Sequence, residues 1–324
     1  MRWLIYGHAG WIGQQLLAHF NRLMRTGESP FLLENNTIVL GSTRVDGDQL
    51  EDEVRQAHPD RIICLVGRTS GEGCSTIDYL EKPGKLVENV RDNLYAPVRL
   101  ALLCQKYGIH LTYLGTGCIF NYDTQHVQPE EVVDPNVDPE HRVNLNSEVS
   151  GFVEDDVPNY FDSSYSVVKG FTDRLMHELS DTVLNVRIRM PISAIDHPRN
   201  FISKIIRYQK ICSLPNSMTV LDELLPIMLD MAYQRQTGTI NLTNPGVITH
   251  NRILDLYRQI VDPSFNYQNF TLEEQRQVLK CGRSNNLLDT TKLEKAYPQV
   301  NPIETAIVKV LQNWTTESEK SEKS

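Results

Sequence analysis

A strand-to-helix junction with three glycines opens the chain and constrains its fold more than any other feature. The apolar segment 2–6 (RWLIY) predicts a buried strand, and the apolar residues of 11–25 recur at helical spacing. Gly7, Gly10 and Gly13 follow one another at steps of three where the strand passes into the helix. Such a junction is typical of the first βα unit of a doubly wound α/β sheet.

Strands and helices continue to alternate along the first half of the chain. The strand-like segments that follow are NTIVLGS (36–42), RIICLVG (61–67), HLTYLGTG (110–117) and TVLNVRIRM (182–190). Helical periodicity separates the later ones, over residues 86–108 and 165–180. The alternation predicts α/β class, with a Rossmann-type doubly wound parallel sheet.

The same pattern predicts the domain organisation. Residues 1–194 are expected to form the dinucleotide-binding domain, interrupted by an acidic insertion at about 123–150. Residues 195–313, with shorter helices and loops, predict a smaller substrate-binding lobe from which some segments return to the first domain. The polar residues 314–324 predict a disordered tail.

Composition narrows the functional class. The chain has 324 residues, 40% of them hydrophobic and 23% charged, which predicts a soluble globular protein. A net charge of −9 without a basic cluster argues against a nucleic-acid surface. The absence of a long apolar run and of a secretion signal argues against a membrane or secreted protein and predicts a cytoplasmic one. Six scattered cysteines indicate reduced thiols, and neither a disulfide framework nor a metal site is expected.

The three glycines have separate predicted tasks in such a turn. Gly7 permits the tight turn, Gly10 lets the backbone approach a pyrophosphate, and Gly13 lets the helix pack closely on the sheet. Trp11 and Ile12 of the same turn are predicted to contact the dinucleotide. A glycine turn without a ligand is the alternative, but its place after the first strand favours a cofactor.

The end of the second strand indicates which dinucleotide binds. A carboxylate there would hydrogen-bond the ribose of NAD, whereas an arginine accommodates a 2′-phosphate. Ser42 and Arg44 in the segment GSTR therefore favour NADP(H), with a solvated loop arginine as the alternative. Gly67, after the third strand, and Pro191, after the last, complete the predicted cofactor-binding set.

The segment YSVVK predicts the catalytic chemistry. Tyr165 and Lys169 are four residues apart, so they share one face of a helix. An adjacent ammonium is expected to lower the pKa of the phenol from about 10, and the phenol would protonate a carbonyl oxygen as hydride arrives. Thr116, at the end of the preceding strand, is predicted to hydrogen-bond the same oxygen. A surface pair is the alternative for the two helical residues.

Two further candidates lie near the carboxyl ends of the predicted strands. Cys118 follows Thr116 by two residues, and on a strand both would face one pocket, although most free cysteines are core residues. The segment HPRNFISK carries Arg199, Asn200 and Lys204 just past the last strand, where an open α/β sheet binds ligands. Arg199 and Asn200 are predicted substrate contacts, and a solvated helix lysine is the alternative for Lys204.

Eight segments along the chain resemble one known family. They are GWIG, TGCIF, YSVVKG, VRIRMPIS, PRNFISKI, PNSMTVLDELLPI, NLTNPGVITHNRIL and SNNLLDTTKL. Together they resemble the UDP-4-keto-6-deoxy-glucose 3,5-epimerase/4-reductase family, which completes UDP-L-rhamnose synthesis and forms the C-terminal half of plant rhamnose synthases. The acidic insertion at 123–150 is longer than the family pattern.

The resemblance implies a function and roles for individual residues. By position, Thr116, Tyr165 and Lys169 match the reductase triad of the family, and Cys118 and Lys204 match its acid/base pair for epimerisation. Thr116 and Cys118 would also contact the substrate. Members of the family are extended short-chain dehydrogenases/reductases that use NADPH and are usually homodimers. The implied reaction converts UDP-4-keto-6-deoxy-D-glucose to UDP-L-rhamnose.

Other interpretations remain open at this point. Gly117 and Cys118 stand where related 4,6-dehydratases have an Asp-Glu pair, so a separate UDP-glucose 4,6-dehydratase is expected to supply the substrate. A 4-keto-reductase without epimerase activity would need only the triad. A non-catalytic NADP-binding subunit would need neither Tyr165 nor Lys169. The sequence leaves the choice between UDP and dTDP open.

Overall fold

A computed structural model describes residues 1–26, 36–129 and 149–315 of the chain. Within these ranges the chain divides into two compact units. The first comprises Met1–Ile119, Tyr160–Arg187 and Leu221–Ile240, and the second comprises the rest of the described chain. The first unit is thus built from three separate segments. The predicted assignment of the cofactor to residues 1–194 and of the substrate to residues 195–313 stays a prediction.

Strands and helices alternate as the sequence predicts for the first half of the chain. In chain order the strands are β1 (Arg2–Tyr6), β2 (Thr37–Leu40), β3 (Arg61–Cys64), β4 (His110–Thr116), β5 (Val183–Ile188), β6 (Pro191–Ile192), β7 (Thr219–Val220) and β8 (Gly238–Asn241). The helices are α1 (Trp11–Thr26), α2 (Leu50–Ala57), α3 (Leu86–Val90), α4 (Ala96–Tyr107), α5 (Ser164–Glu178), α6 (Phe201–Ile205), α7 (Leu221–Tyr233), α8 (His250–Ile260), α9 (Leu272–Val278), α10 (Thr291–Ala296) and α11 (Ile303–Gln312).

The first unit is built on a six-stranded sheet with the order β2-β1-β3-β4-β5-β8. Strand β1 pairs in parallel with β2 and with β3, and β3 pairs in parallel with β4. The predicted doubly wound α/β class is confirmed. The strand order reverses between β1 and β3, and ligands bind outside the carboxyl ends of the strands at such a switch point. Gly7 follows β1 and Gly67 follows the end of β3 at that place.

Helix α1 lies close to the sheet because its apolar face meets strand β1. Trp3 and Phe20 are fully buried and meet edge to face, with ring centroids 5.2 Å apart. Leu16 and Leu23 are buried on the same side of the helix. This packing holds the start of α1 at the end of β1.

The helix predicted over residues 86–108 is present but is interrupted. A π-helical turn at Arg91–Tyr95 separates α3 from α4. Asp92 and Asn93 are buried in this turn. Gly108 ends α4 in the left-handed conformation, at φ 65°, as its place after the last apolar residue predicts.

The second unit has a separate core. The short strands β6 and β7 pair in parallel, and α8 and α11 pack in one apolar cluster with them.

The tail prediction for 314–324 is wrong at its first two residues. The N–H of Thr315 donates to the carbonyl of Ala194 at 2.9 Å, and Trp314 meets Tyr257 edge to face.

Some sequence-based predictions concern parts of the chain beyond the described residues. Most of the acidic insertion, at 130–148, and the tail at 316–324 lie outside them. The six cysteines all lie within the described ranges, and none of them forms a disulfide there. In those ranges, no helix combines the length and the apolar character that crossing a membrane requires.

Candidate active site

The glycine turn after β1 has the geometry of a dinucleotide cradle. Gly7 has a φ of +79°, and a Cβ there would lie 2.7 Å from the carbonyl carbon of Leu65. A Cβ on Gly13 would lie 2.4 Å from the carbonyl oxygen of Gly7. Gly10 is more open, because the nearest atom to a Cβ there, the Gly7 oxygen, is 3.3 Å away. The tight turn predicted at Gly7 and the close packing predicted at Gly13 agree with this geometry, and cofactor binding stays a prediction.

Replacing Gly13 with alanine should destabilise the first unit. A glycine-to-alanine change inside a helix ordinarily stabilises by about 1 kcal/mol, but here the added Cβ meets backbone atoms of Gly7 and His8 that cannot move aside. We expect the free energy of unfolding to fall by about 1–3 kcal/mol, measured by thermal or urea denaturation. Gly10→Ala is the matched control and should keep its stability. Equal stability of Gly13→Ala and the parent would contradict the packing role.

A carboxylate occupies the tip of β2. Glu53 of α2 accepts hydrogen bonds from the Ser42 hydroxyl at 2.6 Å, the Thr43 hydroxyl at 2.6 Å and the Tyr6 hydroxyl at 2.7 Å. Burial raises the pKa of Glu53, but the hydrogen bonds from Ser42 and Thr43 outweigh it and lower the pKa to about 2. Ser42 is therefore engaged with Glu53, and the sequence analysis did not find this carboxylate.

Arg44 lies in a cluster of arginines that the sequence analysis did not foresee. Its guanidinium is 3.0 Å from Asp46, and its side chain is 65% exposed. Arg68 and Arg91 both pair with Asp92, and Arg91 also lies 3.7 Å from Asp46. Arg68 also lies 3.7 Å from Glu88, so three guanidinium groups lie among three carboxylates, and Arg44 is the most exposed of the three arginines.

Three candidate catalytic groups meet at the carboxyl end of β4. The hydroxyl of Thr116 hydrogen-bonds the hydroxyl of Tyr165, and it also accepts the N–H of Cys118 at 3.1 Å. Ser166, in the first turn of α5, donates its hydroxyl to the carbonyl of Cys118 at 2.8 Å. Ser163 caps that turn by accepting the N–H of Ser166 at 3.0 Å. These bonds tie the start of α5 to the end of β4.

Lys169 lies one helical turn beyond Tyr165, and its ammonium is turned toward strand β4. Its Nζ donates to the hydroxyl of Tyr113, and both side chains are buried. Burial lowers the pKa of Lys169 to about 8, against the opposing influence of Cys64, Asp173 and Cys118.

The expected pKa direction for Tyr165 is wrong. Burial raises the pKa of the phenol, a Cys118 thiolate would raise it further, and the hydrogen bond from Thr116 lowers it only in part. The sequence analysis expected the Lys169 ammonium to lower this pKa. Desolvation dominates because Tyr165 is 7% exposed and the ammonium is bonded to Tyr113. Tyr165 is therefore a protonated phenol at neutral pH, which is the form that a proton donor needs.

Removing the buried charge of Lys169 should stabilise the protein. A lysine pKa lowered to about 8 costs stability below pH 8 and costs nothing above its unfolded value. Allowing for the lost bond to Tyr113, Lys169→Met should raise the free energy of unfolding at pH 7 by about 1–2 kcal/mol. The gain should shrink from about pH 8 to about pH 10.5, measured by urea denaturation across that range.

An exposed lysine provides the control for this prediction. Lys106 of α4 pairs with Glu51 at 2.7 Å, and its side chain is 61% exposed. Lys106→Met should leave stability nearly unchanged, without a trend between pH 7 and pH 10, because an exposed ion pair contributes little. A Lys169→Met protein that is less stable than the parent at pH 7 would contradict the proposed cost of the buried ammonium.

Asn93 in the π-helical turn is a site residue that the sequence analysis missed. Its side chain accepts the N–H of Arg68 and donates to the Arg68 carbonyl, each at 2.8 Å. Its carbonyl accepts the hydroxyl of Thr172 on α5 at 2.7 Å. A Cβ on Gly67 would lie 3.2 Å from its Oδ1. Asn93 thus joins the loop after β3 to α5, and a break in a helical pattern is the only sequence signal for it.

Trp11 and Ile12 begin helix α1 in the first unit, and the remaining predicted residues lie in the second unit. Asn200 is fully buried, caps α6 by accepting the N–H of Ile202, and donates to the carbonyls of Ser193 at 2.7 Å and Ile195 at 2.8 Å. Asn200 therefore orders the loop that precedes α6, and its substrate contact stays a prediction.

Two charged candidates and Pro191 accompany Asn200 in the second unit. Arg199 is exposed, and Lys204 on α6 is half-buried. Burial, and to a smaller extent the charge of Arg199, lower the pKa of Lys204. A lowered pKa makes a lysine easier to deprotonate, which suits a group that takes part in proton transfer. Pro191 begins β6.

Comparison with known proteins places these features in a family. No protein-family model matches the chain. An uncharacterised protein of Acanthamoeba polyphaga mimivirus is 49% identical over 313 residues, covering 96% of this chain and 98% of the relative. A bifunctional dTDP-4-dehydrorhamnose 3,5-epimerase/dTDP-4-dehydrorhamnose reductase of Arabidopsis thaliana is 39% identical over 308 residues, covering 94% of this chain and 91% of the relative.

A solved structure agrees with these sequence relatives. The crystal structure of a UDP-rhamnose synthase from Acanthamoeba polyphaga mimivirus has a TM-score of 0.84 and 48% identity, over 97% of this chain and 99% of that chain. Sequence and fold therefore agree over almost the entire length. The chain belongs to the UDP-4-keto-6-deoxy-glucose 3,5-epimerase/4-reductase family, within the extended short-chain dehydrogenase/reductase superfamily.

Proposed function

We propose that the protein converts UDP-4-keto-6-deoxy-D-glucose to UDP-L-rhamnose by 3,5-epimerisation and NADPH-dependent 4-reduction. One observation carries the proposal. At the carboxyl end of β4, the Thr116 hydroxyl bonds both Tyr165 and the N–H of Cys118, with Lys169 one turn away on α5. A reductase-only enzyme needs the hydroxyl, the phenol and the amine. The thiol beside them is the additional group that an epimerase needs.

The residues of the first unit suit NADPH. The glycine turn would accept the pyrophosphate at the start of α1, and the cluster of Arg44, Arg68 and Arg91 would receive the 2′-phosphate. Lys169 would hold the nicotinamide ribose. When bound, NADPH supplies the hydride that reduces C4. Ser42 contributes by ordering the tip of β2 through Glu53.

Tyr165 and Thr116 would act on the oxygen at C4. Tyr165 carries its proton at neutral pH, because burial raises the pKa of its phenol. It can therefore deliver that proton to the oxygen as negative charge develops there. The hydroxyl of Thr116 would hydrogen-bond the same oxygen and stabilise the charge. Both groups would serve the enolate of epimerisation as well as the alkoxide of reduction.

Epimerisation needs proton transfer at C3 and C5. The ketone at C4 acidifies both carbons, and inversion requires that a proton leaves one face and returns to the other. Cys118 of the first unit and Lys204 of the second are the proposed acid/base groups. Burial lowers the pKa of Lys204, which makes its amine easier to deprotonate and supports this role. Arg199 and Asn200 are proposed substrate contacts.

The keto-sugar is proposed to come from a separate enzyme. A 4,6-dehydratase must act first, because the proposed substrate already has a ketone at C4 and no hydroxyl at C6. Gly117 and Cys118 follow Thr116 where related dehydratases have an acid pair, so this chain is not expected to make its own substrate.

Product analysis tests the proposal as a whole. The protein is incubated with UDP-4-keto-6-deoxy-D-glucose and NADPH in heavy water, and the product is examined by NMR. UDP-L-rhamnose with deuterium at C3 and C5 is the expected product. A reduced sugar without deuterium at either carbon would indicate a 4-reductase only. Unchanged NADPH and keto-sugar would overturn the proposed function, and a parallel reaction with the dTDP-sugar compares the two nucleotides.

A homodimer is the proposed assembly of the protein. Helices α4 and α5 pack together in the first unit and leave large apolar side chains exposed: Leu102 at 51%, Phe171 at 60% and Leu175 at 42%. Exposed apolar side chains on adjacent helices favour burial against a second copy. Light scattering should give a dimer for the parent, a smaller mass for Phe171→Asp, and a dimer for Leu272→Asp of α9. A monomeric parent would contradict the proposal.

A further inference from the structure

A buried tyrosine accepts a hydrogen bond from the ammonium of the proposed catalytic lysine. Tyr113 is 1% exposed on β4, and Lys169 is 5% exposed on α5. The Nζ of Lys169 donates to the Tyr113 hydroxyl. Burial raises the pKa of Tyr113 well above its usual value, so the phenol is neutral and offers its oxygen as an acceptor. The sequence analysis assigned no role to Tyr113.

The other groups near Lys169 do not replace this acceptor. Asp173, one turn further along α5, is bound by Arg187 at 2.9 and 2.7 Å and by Asn185 at 2.8 Å. Its charge is therefore shared with a guanidinium. Cys64 on β3 is fully buried, and burial raises its thiol pKa to about 11, so it is uncharged at neutral pH.

The groups at the carboxyl end of β4, Tyr165 and Cys118, also do not replace Tyr113 as the acceptor for the ammonium. Tyr165 is a neutral phenol that hydrogen-bonds Thr116. The Cys118 thiol lies close enough for its thiolate to influence the pKa of Lys169. In the described part of the chain, the Nζ of Lys169 donates its hydrogen bond to the hydroxyl of Tyr113. Without it, the charged amine would be buried among apolar atoms and thiols, which is costly.

We propose that Tyr113 is a positioning residue for the reaction, which from strand β4 fixes the position of the Lys169 ammonium. The proposal rests on the proposed function and deepens it. The hydrogen bond fixes where the amine stands and favours its charged form. Tyr113 thereby determines up to which pH Lys169 stays charged and can hold the nicotinamide ribose.

The first test does not depend on activity. Tyr113→Phe removes the acceptor, so the pKa of Lys169 should fall below its value of about 8. The variant then binds fewer protons when folded, and its stability deficit should narrow as the pH rises through 8. Urea denaturation of the cofactor-free protein from about pH 6 to about pH 10 measures the deficit. A deficit that is constant across this range would overturn the proposal.

Tyr6→Phe is the matched control for this test. Tyr6 lies in the same apolar cluster as Tyr113 and is also 1% exposed, but its hydroxyl donates to Glu53. Glu53 keeps its charge throughout the range, because hydrogen bonds hold its pKa at about 2. The deficit of Tyr6→Phe should therefore be independent of pH. If the stability deficits of both variants narrow to the same extent, the effect does not come from Lys169 and the proposal fails.

The second test concerns the reaction. The rate of NADPH oxidation with keto-sugar should decline at alkaline pH as Lys169 loses its proton, and in Tyr113→Phe this decline should start about one pH unit lower. In a Lys169→Arg background, Tyr113→Phe should leave the alkaline profile unchanged, because a guanidinium keeps its charge. An unmoved profile in an active Tyr113→Phe enzyme would contradict the positioning role.

The two tests separate failure of the inference from failure of the function. If the parent protein does not oxidise NADPH with the keto-sugar, the proposed function is overturned. The stability test still decides whether Tyr113 holds Lys169. If Tyr113→Phe does not fold, Tyr113→Gln and Tyr113→Met repeat the comparison at matched size. Glutamine offers a strong acceptor and methionine only a weak one. The glutamine variant should keep the parent's pH dependence better, and identical behaviour of the two would overturn the inference.

Discussion

Replacing Tyr165 with phenylalanine should lower the rate of NADPH oxidation by about 10²–10⁴-fold, the usual contribution of a general acid. The change removes one hydroxyl from a buried ring and leaves the apolar packing against Tyr79 and Leu80. The phenol acts where charge develops in the transition state. We therefore expect kcat and kcat/KM to fall by the same factor, with little change in NADPH affinity.

Tyr79→Phe is the matched control for this prediction. Tyr79 is 6% exposed and packs against Tyr165, but its hydroxyl donates to Glu88 at 2.9 Å. The variant loses a hydroxyl from the same cluster and should keep its activity within about threefold, because surface-linked hydrogen bonds contribute little to catalysis. A Tyr165→Phe enzyme with full activity, or a Tyr79→Phe enzyme that is equally inactive, would contradict the role of the phenol.

The Tyr165→Phe enzyme also separates the two reactions. Epimerisation moves protons at C3 and C5, and Thr116 remains to hydrogen-bond the oxygen at C4. Deuterium should therefore still enter the keto-sugar in heavy water, at a reduced rate, while reduction stops. Loss of both reactions to the same extent would mean that Thr116 alone cannot support the enolate.

Local sequence patterns predict the parts of this structure that depend on neighbouring residues. The glycines at steps of three predict the β1–α1 turn, because Gly13 packs against Gly7 and His8 of the same turn, whereas the approach of Gly7 to Leu65 lies outside the local pattern. Tyr165 and Lys169 share a helix face because four residues make about one turn. The strand segments were found because buried parallel strands are continuous apolar runs.

Local sequence patterns could not predict contacts between segments that are far apart in the chain. The expectation for the Tyr165 pKa was wrong because burial of the phenol raises it and because the ammonium of Lys169 bonds Tyr113, from a strand 56 residues earlier. The tip of β2 was predicted to present Ser42 to a phosphate, but Glu53 reaches it from the next helix. Trp314 was assigned to a disordered tail because the polar residues after it dominate the composition, yet its ring packs on Tyr257.

The epimerase assignment depends most strongly on Cys118. Its N–H is held by Thr116 and its carbonyl by Ser166, so the residue is fixed by its backbone while its thiol remains available. Serine keeps the size of the side chain but lacks the acidity of a thiol, whose ordinary pKa is about 8.5. In Cys118→Ser, deuterium incorporation should fall by about 10²–10⁴-fold at the carbon that Cys118 serves.

Cys74→Ser provides the control for that substitution. The Cys74 thiol is half-buried and packs in the same small cluster as Cys118 and Tyr165, but it lies near the hydroxyl of Thr76 at 3.7 Å. Its replacement should leave deuterium incorporation unchanged. NMR of the keto-sugar in heavy water, with and without NADPH, measures exchange at C3 and C5 separately.

Lys204→Met removes the second group of the proposed acid/base pair, because an inversion takes a proton from one face of the ring and returns one to the other. A lowered lysine pKa makes Lys204 the complement of a thiol, so its loss should stop exchange at C3, at C5 or at both. Lys309→Met, which removes an exposed amine bonded to Asn301 at 2.9 Å, should leave exchange unchanged. Both Cys118→Ser and Lys204→Met should still reduce a keto-sugar that is already epimerised, since Tyr165 and Lys169 remain. Normal exchange in both variants would remove the epimerase half of the proposal and leave a 4-reductase.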